Sequence, residues 1–122
     1  MKRDMDLVRK ILINLEGESS GYAPQELSIE GYTEEQIGYH VLIMIEARLL
    51  EGQEVTDLGS PCPVGMVTRM TWHGHDFLDA CRDETRWNKA KGVVGKIGGA
   101  TFEVFKQVLT QLMISQVTTT MS

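Results

Sequence analysis

The chain has 122 residues, of which 42% are apolar and 24% charged, and a formal net charge of −5; these are the values of a soluble globular protein. The length suits one domain with its own core and is too short for two ordinary domains. No apolar run reaches the roughly 18 residues that span a bilayer, and charges interrupt the N-terminus MKRDMDLVRK, which excludes a signal peptide. A cytoplasmic location is therefore expected.

Charge is distributed unevenly along the chain. From Glu16 to Asp57 there are ten acidic residues and one basic residue, Arg48, so the remaining residues sum to +4. Much of this positive charge lies between Arg82 and Lys96. Such asymmetry bears on the binding partners of a protein and not on its fold.

The N-terminal part predicts a helix followed by a short strand. Asp4 is a helix-capping residue type, and apolar residues follow it at helical spacing: Met5, Val8, Ile11, Leu12 and Leu15. Gly17 to Pro24 is rich in turn-forming residues and ends this helix. Glu26 to Ile29 is predicted to be a short extended strand.

A second helix is predicted from Thr33 to about Leu50. Thr33 and Gln36 form a capping box at its start. Its stretch YHVLIMIEARLL is apolar nearly all round, as expected of a helix that is buried on more than one side.

A β-hairpin is predicted after Gly52, which ends the second helix. Gln53–Leu58 alternates weakly between apolar and polar residues and Met66–Trp72 alternates well, while GSPCPVG between them is typical of a loop. The pattern predicts two strands with a seven-residue connection. Cys62 lies in this loop, and in a reducing cytosol both Cys62 and Cys81 are expected to be free thiols.

Two further helices are predicted after the hairpin. The first contains Phe77, Leu78 and Cys81 and either continues or restarts through Trp87 to Lys91. The segment KGVVGKIGGA, with four glycines, is predicted to be a flexible turn or hinge. The last helix begins at about Thr101 and carries one apolar stripe: Phe102, Phe105, Leu109, Leu112 and Met113.

The order of helix, short strand, helix and hairpin is that of a winged-helix domain. We therefore predict a single α+β domain with a winged-helix-like core over residues 1–72, in which the second helix is the recognition-type helix and Gln53–Trp72 is the wing. Residues 73–117 are predicted to be a C-terminal extension of two helices, and residues 118–122 a disordered tail.

Three well-separated motifs carry a family resemblance: MKRDMDLVRKIL, EGYTEEQIGYHVLIMIEARLLEG and TWHGHDFLDACRDETRWNKAK. From Met1 to about Met113 the chain resembles the bacterial and phage family called domain of unknown function 2513. The resemblance implies a small winged-helix-like protein, often carried by prophages, and it implies no catalytic or binding residues. The family pattern leads us to expect an acidic residue where this chain has His73, so a family-wide ligand role for His73 is not implied.

The stretch TWHGHDFLD is the part of the chain that most suggests chemistry. His73, His75, Asp76 and Cys81 are residue types that bind zinc, but they match no usual zinc motif, and Cys81 lacks an evident oxyanion partner. The favoured interpretation is a strand-to-helix junction that Thr71 caps, with two apolar anchors: Trp72 and Phe77. No catalytic, metal or cofactor residue is predicted, and a small metal- or thiol-dependent enzyme is the remote alternative.

DNA binding is the usual function of a winged-helix fold, but the second helix is poorly suited to it. Its candidate exposed face, Gln36, His40 and Ile43, has no fixed positive charge, whereas recognition helices commonly use basic and amide side chains. Arg69 is the one basic residue near the hairpin tip. The acidic segment that contains this helix is badly placed to bind a phosphate backbone.

A basic segment after the hairpin offers a second nucleic-acid surface. Cations combined with an aromatic platform suit single strands, and six residues here fit that description: Arg82, Arg86, Trp87, Lys89, Lys91 and Lys96. The favoured interpretation is an ordinary solvated helix face with Trp87 packed inward.

Protein association is the remaining hypothesis. Phe102, Phe105 and Leu109 fall at the a/d spacing of packed helices, which fits either intramolecular packing or a homodimer through the C-terminal helix; two heptads are too few to decide. We expect a non-enzymatic protein that acts by macromolecular binding, and the acidic second helix favours a protein partner. A DNA-binding regulator that uses the wing and residues 82–96 is the alternative.

Overall fold

The computed structural model describes residues 1–121, which form five helices and one two-stranded antiparallel sheet. The α+β class predicted from the sequence is confirmed. In chain order the elements are α1 (Met5–Glu16), α2 (Glu34–Glu46), β1 (Leu50–Glu54), β2 (Gly65–Met70), α3 (Trp72–Cys81), α4 (Glu84–Lys96) and α5 (Phe102–Met121). The chain divides into two compact units, unit 1 with Met1–Leu78 and unit 2 from Asp79 onward, and the division falls inside α3.

Asp4 caps α1, as the sequence predicts. Its carboxylate accepts hydrogen bonds from the backbone N–H groups of Asp6 at 2.9 Å and Leu7 at 3.3 Å, two donors that the helix itself leaves unpaired. The buried residues recur at intervals of three and four and so form a single apolar stripe: Leu7, Val8, Ile11, Leu12 and Leu15. The first helix and four of its five predicted core-facing residues are thus confirmed; Met5 is only half-buried, and the buried Leu7 was not predicted.

The second helix ends earlier than predicted, and Arg48 is the reason. Arg48 adopts a left-handed conformation with a φ of 65°. Its N–H donates to the carbonyl of Ile45, and the N–H of Leu49 donates to the carbonyl of Met44, both at 2.9 Å; this pair of bonds is the Schellman C-cap. Because glycine usually occupies the left-handed position, the sequence carries no stop signal at this point.

The predicted hairpin forms, but its strands are shifted along the chain. Glu54 pairs with Gly65 at the end of the ladder, and residues 55–64 connect the two strands. Gly52, which was predicted to end the second helix, lies inside β1. A Cβ atom at Gly52 would collide with the carbonyl group of Met66, so close backbone contact explains this glycine better than helix termination does.

A bulge in β2 joins a further segment to the sheet. Thr68 is the extra residue at the register shift, and its carbonyl accepts a hydrogen bond of 2.9 Å from the N–H of Ala23. Tyr22 forms an isolated bridge with Arg69. The strand predicted at Glu26–Ile29 does not form, because the pairing with β2 is made a few residues earlier in the chain.

One helix ends at Cys81 and a new helix begins at Glu84. Asp83 caps α4 by accepting a hydrogen bond of 2.7 Å from the N–H of Arg86, so the restarted helix, one of the two alternatives, is the one observed. The glycine-rich segment is helical as far as Lys96. Its turn is made by Gly98 and Gly99, whose φ values of 81° and 118° are accessible mainly to glycine.

The last helix, α5, extends through Met121. Residues 118–121, predicted to be part of a disordered tail, are therefore helical, and Ser122 lies outside the described residues. In unit 2 the rings of Trp87 and Phe105 pack at a centroid distance of 4.8 Å and an angle of 31°. None of the helices formed by residues 1–121 has the length and apolar character required to cross a lipid bilayer.

Candidate functional site

The face of α2 that was predicted to be exposed is largely engaged within unit 1. The side-chain oxygen of Gln36 accepts a hydrogen bond of 2.9 Å from the N–H of Thr33, which completes the predicted capping box. His40 has only 1% of its surface exposed, and Ile43 is half-buried. The predicted position of His40 on an exposed recognition face is therefore wrong, because both of its ring nitrogens have partners inside unit 1.

A small polar network surrounds the start of α1. His40 Nε2 lies 2.8 Å from the backbone nitrogen of Asp4, and the hydroxyl of Tyr32 donates to the Asp4 carboxylate at 3.1 Å. Burial raises the pKa of Tyr32 above its usual value of 10.0, and the hydrogen bond to Asp4 and the negative charges of Asp4 and Asp6 raise it further. The ammonium group of Lys10 lies over the Tyr32 ring, 5.4 Å from its centroid. This network fixes the start of α1 against α2 and against Tyr32.

The solvent-exposed side of α2 is acidic. Glu34, Glu35 and Glu46 are all exposed, and we call these three residues the acidic α2 face. Unit 1 as a whole contains thirteen acidic and six basic residues. Arg69, the predicted basic contact on the wing, forms an ion pair of 2.6 Å with Glu51, so its charge is balanced on the sheet itself.

The basic segment is partly used to hold unit 2 together. The Arg86 guanidinium donates two hydrogen bonds to the side-chain oxygen of Gln116, at 3.0 and 2.7 Å. It also donates to the backbone carbonyls of Asp79 at 3.3 Å and Ala80 at 3.0 Å. These carbonyls belong to the last turn of α3, where a cation is favourable. Arg86 is therefore a positioning residue between helices and not an open contact for phosphate.

The other predicted members of the basic surface have different environments. Arg82 pairs with Asp79 at 2.9 Å, Lys89 is exposed and Lys91 is half-buried. Trp87 is only 2% exposed, which confirms the favoured interpretation that it packs inward. An aromatic platform for nucleic-acid bases is therefore not formed by Trp87.

The apolar stripe of α5 is covered within the chain. Phe105 is 4% exposed and Leu109 is fully buried, while Phe102 is half-buried. Phe105 and Leu109 therefore pack within the chain, whereas a homodimer through the C-terminal helix stays a prediction. The apolar residues that α5 exposes lie elsewhere on the helix: Val104, Ile114, Val117 and Met121.

The stretch TWHGHDFLD is a strand-to-helix junction, as predicted. The hydroxyl oxygen of Thr71 accepts a hydrogen bond of 3.0 Å from the N–H of Gly74 and so caps α3. Phe77 is 1% exposed and anchors the helix, but Trp72 is 83% exposed, so its predicted anchoring role is wrong. His73 is half-buried and His75 exposed. Over residues 1–121, no group of three or more His, Cys, Asp or Glu residues is arranged to hold a metal ion.

A cleft that the sequence did not suggest lies beside the edge of β2 opposite β1. Its volume is about 410 Å³, and its walls are residues 24–28, the first half of α2 and residues 65–67. Ile37 and Val41 contribute apolar surface. No Lys or Arg is among the described residues that line this β2-edge cleft, whereas Glu26 and Glu34 are. Only folding brings these three distant segments together, so no local sequence signal marks the cleft.

The fold and these surfaces define a class of protein: an α+β chain in which α1, α2 and a β-hairpin form one unit and α4 and α5 lie in the other. The chain belongs to the family described as "Hypothetical protein (DUF2513)", whose model matches residues 2–101. It is 35% identical over 121 residues to an "Uncharacterized protein" of Haemophilus influenzae, and the match covers 95% of this chain and 98% of that relative. No solved structure matches the chain. The family resemblance inferred from the three motifs is confirmed.

Proposed function

We propose that this protein is a non-enzymatic, winged-helix-like binding protein whose acidic α2 face docks on a basic surface of another protein. The observation that carries the proposal is the exposure of Glu34, Glu35 and Glu46 on the helix that would occupy the recognition position. A carboxylate-rich face attracts basic protein surfaces. The same face repels the phosphate groups on which DNA binding depends. The order of α1, α2 and hairpin supports the winged-helix likeness.

The environments of Cys81 and His40 support a binding role over a catalytic one. Cys81 has no exposed surface, so a substrate has no access to its thiol. His40 uses one ring nitrogen toward Asp4 and the other toward the Gln36 carbonyl. Nucleophilic or general-base catalysis needs an accessible group with a free position toward the substrate.

Affinity capture from the native host tests the proposal. Three immobilised proteins are compared at about 50 mM salt, where charge contacts are strong: the natural protein, the Glu35→Lys, Glu46→Lys variant, and a control with the same charge change at Glu18→Lys and Glu103→Lys. We expect the natural protein and the control to retain a basic protein that raised salt releases and that the α2 variant fails to retain.

Binding of the identified protein, purified, is then measured directly with the same three proteins. Equal retention by all three, or retention of nothing specific by the natural protein, would overturn the proposal. Thermal unfolding of each variant checks that the charge changes leave the fold intact.

Duplex DNA binding by unit 2 is the second candidate, because unit 2 contains six basic and four acidic residues. Lys89 and Lys96 are exposed, whereas Arg86 is engaged with Gln116. The appropriate test is therefore an electrophoretic mobility shift at about 50 mM salt with Lys89→Glu, Lys96→Glu as the variant. A mobility shift of DNA that the natural protein causes and this variant does not would support DNA binding. Absence of a shift with the natural protein would reject this candidate function.

A further inference from the structure

The edge of β2 opposite β1 presents backbone groups that the sheet does not use. Val55 donates to the carbonyl of Val64 at 2.9 Å, and the next pairs in the ladder are Glu54 with Gly65 and Gln53 with Met66. Hydrogen-bonded and non-hydrogen-bonded pairs alternate in an antiparallel ladder. The backbone N–H and C=O groups of Met66 therefore point toward β1. The backbone N–H and C=O groups of Gly65 and Val67 point toward the opposite edge of β2.

The segment that lies along this edge, residues 22–28, pairs with β2 near the bulge and not beside Gly65–Val67. Within residues 1–121, the backbone hydrogen bond between this segment and β2 is the one from Ala23 to Thr68, at the bulge. Residues 24–28 then run along the far wall of the β2-edge cleft and form no strand. An unpaired edge of this kind is a template for pairing with another chain.

The remaining walls of the cleft restrict what kind of chain would fit. Ile37 and Val41 are buried residues of α2 that also line the cleft, so one face of an added strand would meet apolar surface. Glu34 lies one helical turn before Ile37 on the same side of α2, and Glu26 belongs to residues 24–28; both are exposed at the cleft, so its rim favours a chain that also carries positive charge. Main-chain bonds to the edge and alternate side-chain contacts are the two components of recognition by strand addition.

We infer that the β2-edge cleft binds an extended peptide segment of alternating apolar and basic residues, which adds to the sheet as a strand beside Gly65–Val67. This inference rests on the proposed function and deepens it, because it names the part of the basic partner that is bound and the way it is held. The apolar side chains pack on Ile37 and Val41, and the long basic side chains on the outer side reach the exposed carboxylates of Glu26 and Glu34 at the rim.

Nuclear magnetic resonance with a defined probe tests the inference. The probe is an acetylated and amidated peptide of seven alternating Lys and Val residues, and the control probe has Glu in place of each Lys. We expect the Lys peptide to shift the amide resonances of Gly65 and Val67 and to slow their hydrogen exchange by about tenfold or more at saturation. The amide of Met66 is an internal control, since its hydrogen bond to β1 exists without the peptide.

Variants of the cleft separate this site from general attraction to an acidic protein. Glu26→Lys with Glu34→Lys should weaken binding of the Lys peptide about threefold or more, since two exposed charge contacts are lost. Glu18→Lys with Glu103→Lys makes the same change in net charge away from the cleft and should leave the affinity within twofold. The inference would be wrong if both variants weakened peptide binding equally, or if the peptide shifted other amide resonances but not those of Gly65 and Val67.

The outcomes distinguish this inference from the proposed function. In one outcome, a host protein is retained through Glu35 and Glu46, and the Lys peptide leaves the β2 edge unaffected. This result would reject strand addition and would retain the acidic α2 face as the binding site. Peptide binding at Gly65 and Val67 without a basic partner in the host extract keeps the cleft and removes the proposed function. Equal binding of the Lys peptide and the Glu peptide would show that the edge does not select for charge. This result would overturn the inference that the bound segment is basic.

Discussion

The Nε2 atom of His40 lies 2.8 Å from the backbone nitrogen of Asp4, a residue 36 positions earlier in the chain. Since a backbone N–H can only donate, Nε2 accepts this hydrogen bond. Nδ1 therefore carries the proton and donates to the carbonyl of Gln36, also at 2.8 Å. One buried imidazole thus connects the first turn of α2 to the start of α1.

Replacement of His40 by alanine should lower the free energy of unfolding by about 2–4 kcal/mol, because it leaves the N–H of the half-buried Asp4 without its acceptor and opens a cavity where the buried imidazole was. Urea denaturation measures the loss. His75→Ala is the matched control: His75 is exposed on α3, so its removal should cost less than about 0.5 kcal/mol. Similar losses for both variants would contradict the structural role of His40.

Tyr32→Phe should remove a stabilising contribution that depends on pH. The hydroxyl donates to Asp4, and its loss should cost about 0.5–1.5 kcal/mol near neutral pH. Because the pKa of Tyr32 is raised above its usual value of 10.0, this contribution is complete below the pKa of the unfolded chain and is lost as the pH rises through the folded value. The stability difference between the two proteins should therefore shrink above pH 10.

Urea denaturation near neutral pH and above pH 10 measures this difference. Tyr22→Phe serves as the control, since Tyr22 is 66% exposed and its removal should cost less than about 0.5 kcal/mol. A stability difference for Tyr32→Phe that stays constant across this range would rule out the linkage.

Arg48→Gly should increase the free energy of unfolding by about 0.5–1 kcal/mol. A left-handed conformation costs a non-glycine residue about 1–2 kcal/mol, and the greater chain entropy of an unfolded glycine offsets about 0.5–1 kcal/mol of the gain. Ala47→Gly is the control, since Ala47 has a φ of −77° and gains nothing from glycine. It should destabilise the protein, and thermal unfolding should separate the two variants in opposite directions.

Arg86→Ala should destabilise the protein by about 1–3 kcal/mol, because the carbonyls at the end of α3 lose charged donors. A double-mutant cycle with Gln116→Ala should give a coupling energy of about 0.5–1 kcal/mol. Lys89→Ala, three residues away on the same helix and exposed, should change stability by less than about 0.5 kcal/mol. A zero coupling energy would mean that the hydrogen bonds between Arg86 and Gln116 contribute nothing in solution.

The amino-acid sequence alone determined the features that depend on neighbours within one helical turn. Asp4, Thr33 and Thr71 were predicted as caps because a side-chain oxygen bonds to N–H groups two or three residues further on. The apolar stripe of α1 was also evident, because helical spacing places its members on one face. The three motifs that carry the family resemblance are likewise continuous stretches of sequence.

Tertiary structure decided which polar groups are used inside the fold and which surfaces remain open. In the sequence, His40 looks like an exposed helix residue, but in the fold it is buried and bonds to the distant Asp4. Arg86 looks like a free cation in the sequence, but in the fold it bonds to Gln116 and to the carbonyls at the end of α3. The β2-edge cleft is formed by three segments, none of which has a distinctive pattern. The physical reason is the same in each case: hydrogen bonds, burial and charge balance depend on distance in space, and these partners are far apart along the chain.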